Sequence, residues 1–150
     1  MYEILLALHL LFAIFAIGPL VHAATTAARG VRTGDGSATA ASARTLRIYA
    51  GASLIVVAIG LGLMSAKDPD APGKHVGAFG QLWIWLSVIL WAAAMAAVLG
   101  WLAPTLDQAT ERIKREDSVV SLTGRIAAAG GVVALIFAGI VFLMVYQPGH

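Results

Sequence analysis

Four histidines, His9, His22, His75 and His150, are the side chains of this chain best suited to hold a metal or move a proton. There is no cysteine, which removes disulfides, thiolate metal sites and thiol catalysis together. His9 and His22 fall inside one apolar stretch, where an ionisable group costs energy unless it finds a partner and therefore marks a candidate functional position. Along a helix they stand about 20 Å apart and about 220° around the axis from each other. They cannot share a metal or sandwich one haem, so any shared site must recruit a histidine from elsewhere. A pair of neutral imidazoles from two helices is a common way to hold haem b, and imidazole also suits copper or zinc. His9 with His75 is the first pairing to consider as a cofactor-binding site, with the metal itself left open. The competing reading has His9 hydrogen-bonded to a backbone carbonyl or to a hydroxyl such as Ser53 or Ser87. His22, close to Arg29 and Arg32, reads as a residue of the lipid headgroup boundary, and His150 as a tail residue.

Other chemistries are poorly supplied. No apolar stretch contains Asp or Glu, so a proton relay lacks its usual carboxylates. There is no Ser-His-Asp order, no HExxH and no glycine-rich phosphate loop, and no catalytic residue is assigned. The formal net charge of +2 is too small to suggest a nucleic-acid partner.

The elements that must position these histidines are four apolar stretches, Ile4–Ala23, Ile48–Ser65, Leu82–Leu102 and Ile126–Tyr146. At about 1.5 Å per residue each matches a hydrocarbon core of about 30 Å. Lipid offers the backbone no hydrogen-bond partners, so each must be a helix. Composition agrees: 59% of residues are hydrophobic and 12% charged, against about 45–50% and about 25% in soluble domains. The expected fold is all-α, a single-domain four-helix transmembrane bundle running up-down-up-down, with the lipid bilayer as its main partner. The first stretch reads as a helix rather than a cleaved signal, because Met1-Tyr2-Glu3 carries no positive charge.

Charge placement gives the orientation. Of ten Lys and Arg, Arg29, Arg32, Arg44 and Arg47 lie in one loop, Thr26–Arg47. Arg112, Lys114, Arg115 and Arg125 lie in another, Ala103–Arg125. Lys67 and Lys74 alone occupy the third. The positive-inside rule puts the two basic loops in the cytoplasm and both termini outside. Arg112, Lys114 and Arg115 could hold anionic lipid headgroups. Within the first helix, Pro19 predicts a kink. Ala38–Arg47 reads as a helical run-in, and Asp68–Gly73 as an outer turn. The third helix should end near Pro104, with Thr105–Asp117 an extension of it or an interfacial helix, carrying a Glu111–Arg115 pair. Ala92, Ala96 and Gly100 on the third helix, and Gly130, Ala134 and Ala138 on the fourth, recur every fourth residue. Such stripes let helices approach closely, within the bundle or in self-association.

The opening Leu8-His9-Leu10-Leu11-Phe12-Ala13-Ile14-Phe15-Ala16-Ile17-Gly18 resembles that of a bacterial family of predicted integral membrane proteins of unknown function. The ending Phe142-Leu143-Met144-Val145-Tyr146-Gln147-Pro148-Gly149 resembles the same family's close. The likeness runs over the whole chain and departs from the family at Pro19, where a second Gly is usual, and at Gln147, where Lys is usual. It implies a multi-pass protein of the bacterial inner membrane. The histidine opening also bears a weaker similarity to copper-resistance D-type and haem-binding protoporphyrinogen-oxidase-type membrane proteins. From these only His9 carries over, as a haem or metal ligand. The function expected from the sequence is a small non-catalytic membrane protein, an accessory or interaction subunit of a larger complex such as a respiratory one. The alternative is a haem- or metal-binding redox protein using His9.

Overall fold

The computed structural model describes residues 1–67, 73, 75 and 80–148. Among them the chain forms helices α1 (Tyr2–Arg32), α2 (Gly36–Met64), α3 (Leu82–Ala97), α4 (Ala103–Lys114) and α5 (Val120–Tyr146). A π-helical turn, Val98–Leu102, joins α3 to α4 without a break, so Leu82–Lys114 is a single rod. The molecule is an all-α bundle of four rods, running up-down-up-down, each long and apolar enough to cross a membrane. The rods contain 31, 29, 33 and 27 residues, lengths of about 40–50 Å that exceed the hydrocarbon core. The surplus lies largely at the end bearing most of the arginines, the basic end; the opposite end carries both termini and is called the terminal end.

Of the expected loop Thr26–Arg47 only residues 33–35 form a turn, and the helical run-in expected over Ala38–Arg47 is met as the first part of α2. α1 runs on to Arg32 and α2 starts at Gly36, because alanines 23, 24, 27 and 28 and Val31 continue a buried face past the apolar span. Gly34 turns the chain at φ +65°, a conformation that glycine adopts without steric cost. Asp35 caps α2: its carboxylate accepts from the Ala38 N–H at 3.0 Å and from the Ser37 hydroxyl at 2.7 Å. Gly30 lets the two helices close on each other, since a Cβ there would lie 3.2 Å from that of Ala38.

The third rod meets the extension alternative for Thr105–Asp117 as far as Lys114, and the helix does not end near Pro104. Its buried residues Ala94, Val98, Leu102 and Leu106 are separated by three consecutive steps of four. Each such step overshoots a full α-helical turn by about 40°. The wider π turn absorbs that drift, and the Ala103 N–H donates to the Val98 carbonyl five residues back. The extra width also relieves the usual clash between Pro104 and the preceding turn. Pro19 likewise sits inside an unbroken α1. The expected Glu111–Arg115 pair is not formed: α4 ends at Lys114, so Arg115 leaves the helix face, and Glu111 pairs with Lys114 at 3.1 Å.

Packing is densest at the basic end. Leu20 and Val31 of α1, Leu46 of α2, Leu102 and Leu106 of the third rod and Ile126 of α5 are fully buried there. Gly130 is the closest approach, where a Cβ would overlap the carbonyl of Ala24. α2 and α4 are joined by a buried contact of Thr39 with Thr110 at 2.7 Å and by a two-bond pairing of Arg47 with Asp107. The two small-residue stripes divide differently. On α5, Gly130 is buried, Ala134 partly buried and Ala138 exposed; on the third rod Ala92, Ala96 and Gly100 all face out of the bundle. The third-rod stripe therefore takes no part in intramolecular packing, because Ala94, Met95 and Val98 hold the inner face.

Candidate functional site

The site follows from how the rods pair. α1 packs on α2 and α5, α2 on α4 and the π turn, and α3 on α5. α2 thus grips the third rod mainly in its basic half, with the Trp91–Ser53 hydrogen bond near mid-rod. Toward the terminal end α2 and α3 stand apart, and a cavity of about 430 Å³ opens between α1, α2, α3 and α5. Its walls are apolar, with Leu6, Val57, Ile84, Val88 and Ile140 among them, and aromatic, with Tyr2, Trp83, Trp91 and Phe137. Size and lining match a site for a small lipophilic molecule.

Several polar groups in those walls have partners within the protein. Ser53 donates to the Ala50 carbonyl at 2.7 Å and accepts from the indole N–H of Trp91 at 3.0 Å. Ser87 donates to the Trp83 carbonyl at 2.8 Å. These groups are satisfied within the protein. His9 lies across Gly60, whose missing side chain makes room for the ring: a Cβ there would sit 3.0 Å from the imidazole Cε1. His9 Nδ1 is 3.1 Å from the carbonyl oxygen of Val56. A carbonyl can only accept, so Nδ1 carries the proton and Nε2 presents a lone pair. Trp83 also lines the cavity, and its indole N–H, like the Oε1 of Gln81, is buried without a partner among the described residues. The cavity lining therefore retains His9 Nε2 as a free acceptor, beside the polar groups of Tyr2 and Gln147.

The hydroxyls considered as partners of His9 are engaged elsewhere, Ser53 with Ala50 and Trp91, Ser87 with its own helix. The pairing of His9 with His75 is not made either. His75 is exposed and its Nδ1 donates to the Ser65 carbonyl at 3.0 Å. Val56 and Ser65 are separated by about 13 Å of helical rise. Among the described residues no three His, Asp or Glu side chains gather as a metal site, and no Lys or Arg lines the cavity to meet haem propionates. Among the described residues the cavity has a single imidazole, with its proton fixed on Nδ1, a geometry typical of ligating histidine. They do not fit the two-imidazole haem. His22 is exposed on α1, and His150 lies outside the described residues.

Sequence reasoning did not assign Trp83, Trp91 or Gly60 to a site. An indole in mid-span needs a hydrogen-bond acceptor, so Trp91 was the available signal for Ser53. Nothing in the sequence marked Trp83 as lacking one. Lys114 and Arg115 are exposed and Arg112 partly so, at the basic end of the third rod and remote from the cavity. No family model matches the chain, and neither a search of curated proteins nor one of solved structures returns a match.

Proposed function

We propose that this multi-pass membrane protein binds a small lipophilic molecule in the cavity at its terminal end. The observation that carries the reading is an apolar and aromatic cavity of about 430 Å³ with the His9 imidazole in its wall. The ligand reaches it from the bilayer, and the protein acts on it by holding it. Orientation follows from the basic loops: the basic end faces the cytoplasm and the cavity opens toward the outer leaflet of the bacterial inner membrane.

The test is organic extraction and mass spectrometry of the detergent-purified protein, beside a variant with the cavity filled, Ala13→Trp. A defined small molecule recovered with the wild type and lost in the variant is the expected result. Equal recovery from both refutes the reading. An absorption spectrum of the same sample covers the haem alternative on His9, which requires a Soret band that disappears in His9→Ala.

A second reading has its own observation. Ala92, Ala96 and Gly100 form a smooth outward strip on the third rod, suited to close contact with another helix. An accessory subunit of a larger complex, or a self-associating protein, would use it.

A further inference from the structure

The cavity is long and narrow, and its shape specifies the body of its occupant. On each rod the lining runs from the terminal end down to a common floor. It extends from Tyr2 to Ile17 on α1 and from Met64 to Ser53 on α2. On the facing side it extends from Trp83 to Trp91 on α3 and from Gln147 to Phe137 along α5. At about 1.5 Å per residue these stripes measure about 12 Å on α3 to about 22 Å on α1, with a mean of about 16 Å. That is the depth of one leaflet, half of a hydrocarbon core of about 30 Å. Below the floor, Leu20, Ala50, Ala94 and Val133 are buried and close the bundle. A volume of about 430 Å³ over that depth leaves a mean section of about 27 Å². Hydrocarbon chains in contact lie about 4.5 Å apart, so each needs a section of about 20 Å². The slot admits one chain and not two.

Polarity is graded along the same axis. Tyr2, Trp83 and Gln147 stand at the mouth, where amphipathic side chains sit level with the headgroups. Deeper in, the hydroxyls of Ser53 and Ser87 and the indole of Trp91 are bonded within the protein. His9 Nε2 adds a single uncharged acceptor about 10 Å below the level of Tyr2. Among the described residues no charged side chain lines the slot. We infer that the slot holds the unbranched alkyl chain of one bilayer amphiphile, which enters through the gap between α2 and α3 and leaves its polar group at the mouth. The inference rests on the ligand-binding reading above and gives that ligand its class.

The test uses nanodiscs of phosphatidylcholine doped with straight-chain primary alcohols that carry bromine on the last carbon. Bromine quenches an indole at contact, and the share due to Trp91 at the floor is the difference between wild type and Trp91→Phe. That share should saturate with dose and peak for chains with an extended length of about 16 Å. It should reverse on adding the unbrominated alcohol of the same length. A methyl-branched alcohol of equal length should displace it about tenfold less well, since each branch overfills the slot. Ala13→Phe narrows the slot without adding an indole and should remove the saturable part; Val88→Phe repeats that test from α3. Phosphatidylcholine brominated at the end of one tail runs in parallel. A signal from it that the alcohol displaces names a phospholipid tail as the occupant, and a signal from the alcohols alone names a single-chain molecule. Either result upholds the chain assignment.

A branched or ring-bearing alcohol that competes equally would overturn the unbranched chain. So would a peak that survives both filling variants, or one lost in folded His9→Leu, where the imidazole rather than the slot would be setting it. If no straight chain gives a saturable signal while the wild type still yields a molecule that Ala13→Trp loses, the chain assignment falls and the cavity reading stands. If neither is seen, both fall.

Discussion

At the level of single residues, the chemistry of the site turns on a proton whose place is set by a backbone oxygen. The candidacy of His9 was legible in the sequence, since an imidazole in an apolar stretch needs a partner. The expectation of a backbone carbonyl as its partner is met, but which carbonyl was not legible, since Val56 is an ordinary aliphatic residue of α2. Asp35 offers a pH-dependent counterpart at the basic end. The Ser37 hydroxyl and, after it, the Ala38 N–H hold its carboxyl below the usual aspartate range. These bonds favour the ionised form only in the folded turn, so the folded value lies below the ordinary 3.8. The stabilisation is complete above that ordinary value and is lost as pH falls from it through the lowered folded one. Thermal melts of wild type and Asp35→Ala in detergent should differ at pH 6 and converge toward pH 3. A gap that stays constant across that range would remove the cap from the account.

At the level of elements, the four helices were legible from apolar length alone, but their ends were not. The helical run-in Ala38–Arg47 was legible, but the winding of α1 on to Arg32 was not, and the buried Ala27, Ala28 and Val31 carry it there. Pro104 suggested a stop, and the π turn carries the helix past it. Small-residue spacing was equally ambiguous, because the same pattern faces inward at Gly130 and outward at Ala96. One pair of substitutions separates the two faces. Gly130→Leu forces a side chain into the Ala24 carbonyl and should cost upward of about 3 kcal/mol, seen as lost folded yield or a lower Tm. Ala96→Leu on the outer face should leave the fold within about 0.5 kcal/mol. Under the accessory reading it should also reduce recovery of the protein in a larger assembly from mild detergent. Unchanged recovery would dismiss that reading and leave the strip facing lipid.

For the whole molecule, the up-down-up-down arrangement places His9 of α1, Gly60 of α2, Trp83 of α3 and Phe137 of α5 around one space. Their sequence separation hid that from any local motif. Reporter fusions after Gly36 and Glu116 should both report cytoplasm, and one after Gly73 the exterior; the reverse at two sites would invert the orientation and move the cavity to the inner leaflet. The π turn has a further consequence, in chain length. Five residues there do the work that an α-helix does with one fewer. Removing Gly100, which faces open space, together with Pro104→Ala to restore a regular ladder, returns the rod to α geometry. The faces on either side keep their register. The same deletion at Ala92 would rotate the terminal half of the rod by about 100° against α5. Within this transmembrane helix there is thus a place where the chain can lose a residue, a freedom that ordinarily belongs to loops.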